Sequence, residues 1–245
     1  MEEPSHSAEL RAAGWSEPDV RRYRQLRAYR SRWGAANLDR DERRFLRRGD
    51  EALRTIQRSP APASPSGLAD LRQGCFVALD FETADQGRDS ACAIALVRVE
   101  GGSIVRREHH LIRPPRRMFR FTSIHGIDWP QVAEAPGFGE LWPQLAGCLE
   151  GARFIAAHNA SFDAAVLRAC CERAGLRPPS QPFLCTVQVA RQTWNLRPTR
   201  LPDVCRHLGL PLRHHEALSD AEACANIVLA AGQELAAGLA RGASG

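Results

Sequence analysis

The chain has 245 residues, 44% of them apolar and 25% charged, and a formal net charge of +5. This is the composition of a globular protein long enough for one large domain plus an appendage, and no apolar run approaches the ~18 residues of a membrane span. All 33 basic residues are arginine, whose planar fork suits phosphate oxygens, so the charge balance is compatible with a polyanionic partner.

The opening Met1-Glu2-Glu3-Pro4 lacks the basic and then apolar order of a secretory signal, and a cytoplasmic location is expected. The eight cysteines form no C-x-x-C pair, so they read as reduced thiols of a core rather than as zinc ligands.

Residues 1–66 differ from the rest of the chain: they hold fourteen arginines against ten acids, a net of +4. Ser16-Glu17-Pro18-Asp19 has the order of a helix start. Val20, Tyr23, Leu26, Tyr29 or Arg30, and Trp33 then recur every three or four residues, up to Gly34 as a stop. A second helix is expected from about Asp39 to Gln57, with Phe45, Leu46, Leu53 and Ile56 on one side and Gly49 weakening its middle. Two readings stand: solvated helices packed on the main domain or on a protein partner, or an arginine-lined clamp for nucleic acid. Ser59 to Gly67 is rich in Pro, Ala and Ser and reads as a linker. The expected organisation is an Arg-rich helical extension at 1–66 and a main domain at 67–245.

In the main domain, Cys75–Phe81 reads as a buried strand, and 91–112 as a hairpin turning at Glu100-Gly101-Gly102. A proline-rich loop covers 114–138, and a helix follows from Phe138 to Leu149. Arg153–Ala157 is a fourth strand, Ala160–Ala174 a helix stopped by Gly175. Phe183–Thr186 is a short strand running into a helix over Val187–Trp194. Two further helices cover Leu201–Leu208 and Ala217–Leu239. Antiparallel strands followed by strand–helix alternation predict an α/β fold, a mixed sheet covered by helices.

Three separated segments carry the chemistry. Asp80-Phe81-Glu82-Thr83 ends the first strand, and residues i and i+2 of a strand share a face. Two carboxylates ending an apolar strand are costly unless charge-compensated; magnesium or manganese, which take oxygen ligands, would do this. Asp163 falls in the first turn of a helix after His158 and Asn159, a place where a carboxylate also serves the helix dipole. His215 and Asp220 bracket the start of the last helix. Asp220 suits a metal ligand or a dipole partner, and His215 suits a proton acceptor near neutrality, with His214 adjacent.

Jointly and in this order, Asp80-Phe81-Glu82-Thr83, His125-Gly126-Ile127, His158-Asn159-Ala160-Ser161-Phe162-Asp163 and His215-x-Ala217-x-x-Asp220 resemble the DEDDh 3′–5′ exonucleases, the DnaQ-like family of ribonuclease H-like fold. The resemblance spans about residues 73–235. It departs at Ala95, where relatives often have Gly, and the extension at 1–66 has no counterpart in the pattern. It implies Asp80, Glu82, Asp163 and Asp220 as ligands of two divalent ions, Mg2+ or Mn2+, and His215 as general base. It places Thr83, His125, Asn159 and Phe162 at the terminal nucleotide, and Phe81 and Phe162 could pack on its base or sugar.

The implied activity is hydrolysis of phosphodiester bonds from a 3′ end, releasing nucleoside 5′-monophosphates by a two-metal mechanism. Likeness to stand-alone relatives of polymerase proofreading subunits points to DNA, single-stranded. The alternatives are an exoribonuclease of the ribonuclease T or oligoribonuclease kind, and a non-catalytic nucleic-acid-binding module.

Overall fold

The computed structural model describes residues 7, 10–11, 15–33, 38–57 and 74–242. The Ser59–Gly67 linker and the Gly34 stop lie outside the described residues, as do the side chains of Trp33 and Ile56. The chain divides into two compact units, Met1–Pro60 and Ala61–Gly245.

The first unit is built on helices α1 (Glu17–Trp33) and α2 (Arg40–Gln57). Ser16 Oγ accepts from the Asp19 N–H at 3.3 Å, capping α1 where a side-chain oxygen satisfies an unpaired donor. Asp39 and Glu42 do the same reciprocally for α2, at 2.7 and 2.9 Å. The apolar faces of the helices meet each other: Val20 and Tyr23 bury against Leu46 and Leu53, with Leu10 and Leu38 in the same cluster.

Gly49 has a role opposite to the one its helix propensity suggests. A Cβ there would lie 2.2 Å from the Tyr23 ring, so the absence of a side chain is what lets the helices approach. Tyr23 then donates to Asp50 at 2.6 Å, and Arg30 holds the other Asp50 oxygen at 2.8 Å.

The second unit is a five-stranded sheet of β1 (Cys75–Thr83), β2 (Ala91–Glu100), β3 (Ser103–Leu111), β4 (Ile155–Ala157) and β5 (Phe183–Cys185), in the order β3-β2-β1-β4-β5. The β1–β2–β3 pairs are antiparallel, and β4 and β5 continue the sheet in parallel from β1. Gly101 and Gly102, both at positive φ, make the β2–β3 turn.

Between β3 and β4 the expected loop holds two single-turn helices, α3 (Thr122–His125) and α4 (Trp129–Val132), before α5 (Phe138–Leu145). Gly126 ends α3 in the left-handed region, and Asp128 with Gln131 caps α4. α5 is shorter than its periodicity suggests, because its last turn tightens into a 3-10 turn over Ala146–Leu149. The remaining helices are α6 (Ser161–Ala174), α7 (Thr186–Trp194), α8 (Leu201–Leu208) and α9 (Ala217–Gly242).

Strand alternation divides the core in two. Phe76, Ala78, Ala93, Ala95 and Val97 face one side, under α7, α8 and α9. Val77, Leu79, Phe81, Ile94 and Leu96 face the other, under α5 and α6. The buried residues of α9 are small over its first turns, Ala217, Ala221, Ala223, Cys224 and Ala225, and are followed by Ile227, Val228 and Ala231. These small side chains let the helix lie close across β1 and β2, which brings its first turn to the carboxylates at the end of β1.

Candidate active site

β1 ends in the acidic pair. Asp80 and Glu82 share the face turned toward α9, and Asp220 arrives from the first turn of α9. One carboxylate oxygen from each of the three lies within 4.8 Å of the others. Asp163, 2% exposed, comes from the first turn of α6 and accepts from the Phe81 N–H at 3.2 Å, so it stands against the same stretch of strand. The four acids line one cavity of about 1140 Å3.

The electrostatics of this cluster are unfavourable as it stands. Burial, then Asp163, Asp220 and Glu82, push Asp80 well above the usual carboxylate range. Glu82 is pushed up to about 8 by burial and then by Asp220 and Asp163. Burial likewise raises Asp163, against the opposing Phe81 N–H bond, and Asp220, against its bonds from His215 and His214. Asp220 Oδ1 is also buried with no hydrogen-bond partner. Hard oxygen donors, mutual repulsion and an unpartnered buried oxygen together fit a divalent cation.

The loop before α9 is folded back over its first turn. Asp220 Oδ2 accepts from the His215 backbone N–H at 3.2 Å and from His214 Nδ1 at 3.0 Å. Ser219 Oγ accepts from the Arg213 N–H at 2.8 Å. His215 sits at φ 69°, a left-handed turn residue, and its ring stacks on His214 with centroids 3.8 Å apart. Both imidazoles are exposed at the cavity mouth. Partial desolvation and then His214 hold His215 below its ordinary pKa. The ring that touches Asp220 is thus that of His214, while His215 is fixed through its backbone.

Thr83, His125, Asn159 and Phe162 all line the cavity. His125 uses both ring nitrogens within the protein: Nε2 donates to the Thr83 carbonyl at 3.1 Å and Nδ1 accepts from the Ile127 N–H at 3.0 Å. It shapes the wall and has no free nitrogen. Asn159 is exposed and left-handed, at φ 62°. Phe162 carries the Arg88 guanidinium 4.4 Å over its ring, so one ring face is already covered.

Phe81 is a correction. It borders the cavity, but its side chain is 4% exposed and packs against Phe138 in the core. The alternation that turns Asp80 and Glu82 to the site turns the Phe81 side chain to the opposite face. Ile124, at 49% exposure, and the half-buried Phe121 are among the apolar side chains that line the cavity instead.

His158 is structural. Nε2 donates to the Thr199 carbonyl at 3.0 Å and Nδ1 accepts from Thr186 Oγ1 at 2.8 Å. Burial lowers it to about 4, so the ring is a neutral strut joining β4 to the segment before α8. That segment and the helices on either side of it carry what sequence reading missed: Arg191 of α7, Arg197 and Arg200 of the segment, and Arg206 of α8 all line the cavity. The arginine-rich stretch Arg197-Pro198-Thr199-Arg200 was the available signal, but only the fold carries it to the mouth of the acidic pocket.

A mixed sheet flanked by helices, with carboxylates gathered at the end of its central strand, is the ribonuclease H-like exonuclease fold. The model of the Exonuclease family matches residues 77–228, and the chain belongs to that family. It is 35% identical over 185 residues to the DNA polymerase III PolC-type of Thermotoga maritima, covering 74% of this chain and 14% of that protein. It is 34% identical over 138 residues to Exodeoxyribonuclease 10 of Escherichia coli, covering 52% of this chain and 55% of the relative. The chain thus spans a small part of the polymerase and about half of the exodeoxyribonuclease.

Among solved structures, Exonuclease X in complex with 5′ overhanging duplex DNA superposes with a TM-score of 0.54 at 26% identity, over 64% of this chain and 91% of that one. The nuclease domain of 3′hExo, a DEDDh family member bound to rAMP, shares the fold at 18% identity, with a TM-score of 0.58 over 66% of this chain and 93% of that one.

Proposed function

We propose that this protein is a metal-dependent 3′–5′ exonuclease that shortens single-stranded DNA from its 3′ end and releases nucleoside 5′-monophosphates. The observation that carries the reading is the convergence of Asp80, Glu82 and Asp220, with Asp163 alongside, around a buried and unpartnered Asp220 Oδ1. The likeness to Exodeoxyribonuclease 10 and to DNA-bound Exonuclease X supports DNA.

In this reading Asp80, Glu82, Asp163 and Asp220 hold two divalent cations, Mg2+ or Mn2+. Such a pair supplies Lewis acidity at the scissile phosphate and lowers the pKa of the attacking water. His215, neutral near pH 7 and standing at the cavity mouth, takes the proton from that water. Thr83 and Asn159 orient the terminal nucleotide, and Ile124 with the open face of Phe162 meets its base. The arginines of the 191–206 wall meet the phosphates behind it, and their positive charge offsets the negative charge of the incoming strand.

The test uses matched 5′-labelled single-stranded DNA and RNA oligomers with Mg2+, Mn2+ or a chelator. A ladder of shortened DNA that requires metal is the expected result. Faster shortening of RNA would assign the ribonuclease alternative, and no shortening of either would refute hydrolysis. Asp80→Ala and Asp220→Ala should each abolish turnover without unfolding the chain. His215→Ala should cost about 10²–10⁴-fold in rate while metal binding, read by calorimetry, persists.

A further inference from the structure

The proposed activity gives the N-terminal unit no task, although that unit carries most of the net charge. Residues 1–60 hold fourteen arginines against ten acids, and the remaining residues nineteen against eighteen.

The charge is also arranged. α2 contains Arg43-Arg44-Phe45-Leu46-Arg47-Arg48, with no acid inside the run. Arg40, Arg44 and Arg48 recur every four residues, so they form a stripe with steps of about 6 Å. All three are exposed, as is Arg47, while Leu46 between them is buried in the core of the unit. Arg22 joins from α1: its guanidinium lies 4.9 Å over the Phe45 ring. Arg48 lies 5.2 Å over Trp15 and 6.0 Å from the Phe45 centroid. Two helices therefore bring their cations to one aromatic patch.

Several acids of the same helices are already committed to other partners. Glu17 is held by Arg11, Asp39 and Glu42 cap α2, and Asp50 is taken by Tyr23 and Arg30. Asp41 stands 4.0 Å from Arg44 with both side chains largely exposed, a pairing that contributes little.

We infer that this arginine–aromatic face binds the phosphodiester backbone of nucleic acid without regard to sequence, as a second hold on the strand whose 3′ end enters the cavity. The inference rests on the nucleic-acid reading above. A guanidinium stacked on a ring keeps its donors in its own plane, where a phosphate oxygen pair can meet them. Phosphates are common to every nucleotide, so a hold made through guanidinium groups carries no base preference. Because both holds belong to one chain, the second raises the effective concentration of a long strand at the first. A strand that only fills the cavity gains nothing.

The test uses the full chain with Asp80→Asn, so that bound strand is not consumed. Fluorescence anisotropy measures binding of a ~30-nucleotide and a ~5-nucleotide single-stranded DNA across a salt series. Adding Arg22→Gln, Arg44→Gln, Arg47→Gln and Arg48→Gln should weaken the long strand at least about tenfold. It should also make the slope of log affinity against log salt less negative by about 2–3, with the short strand unaffected. Unchanged affinity and slope on the long strand, with helical circular dichroism intact, would overturn the inference. If the four changes reduce helicity, Arg44→Gln with Arg47→Gln decides, since these lie outside the ring stack: weaker long-strand binding supports the inference and parental binding refutes it. Normal shortening of DNA by the Asp80 chain, alongside parental binding by the arginine variants, would sink this inference alone. Failure of the parent both to bind and to shorten any strand would sink the nucleic-acid reading with it.

Discussion

Glu82 shows most directly how single residues of this site trade stability for chemistry. Its folded-state pKa of about 8 stands above the ~4.3 of an unfolded chain. The folded, metal-free protein therefore keeps a proton that the unfolded chain releases, and its stability falls as pH rises through that interval. Melting of the chelator-treated protein should drop by about 5 °C or more between about pH 5 and pH 8. Millimolar Mn2+ at the upper pH should restore it, because a ligand that binds only the folded state stabilises that state. Glu82→Gln should make the pH dependence shallower; a profile as steep as the parent's would show that Glu82 is not a source of it. Asp220 has the same character, with one oxygen committed to the loop and the other unpartnered.

Among the elements, α2 and α9 show how side-chain size decides packing. In α9 the alanines and cysteine of the first turns bring that end of the helix close to the sheet and carry Asp220 to Asp80. In α2 the decisive residue is Gly49. Replacing a helical glycine by alanine ordinarily stabilises, by up to about 1 kcal/mol. Here the added methyl would fall 2.2 Å from the Tyr23 ring, so Gly49→Ala should destabilise the helix pair by about 1–3 kcal/mol. Trp15 stands edge-on to Tyr23, and urea unfolding followed by tryptophan fluorescence checks this; a stabilised variant would show that the ring simply moves aside. The stretch 114–138 teaches a related lesson. Its prolines suggest a loop, yet Asp128 and Gln131 cap a single helical turn, and Gly126 closes the one before it. Single turns leave almost no periodicity to read.

At the scale of the whole molecule, the thiols report how the chain is filled. Cys92, Cys148, Cys170, Cys171, Cys205 and Cys224 are buried, and only Cys75 and Cys185 are partly accessible. Burial raises Cys92 to about 12 and Cys170 to about 11, which suppresses the thiolate that reacts. A native thiol titration with a disulfide reagent should therefore find at most two fast groups, and a denatured one all eight; six fast groups in the native protein would contradict the packing. Among the described residues no helix is long and apolar enough to cross a membrane. The sequence by itself determined the strands and long helices, through their period of apolar residues, and the identity of the acidic and imidazole groups, through their order along the chain. Tertiary structure alone decided that Phe81 belongs to the core, that His158 is a strut, and that the 191–206 arginines border the acidic pocket. The reason is physical: a period or a cap is set by neighbours a few residues away, whereas a contact between side chains tens of residues apart is set by how sheet and helices pack.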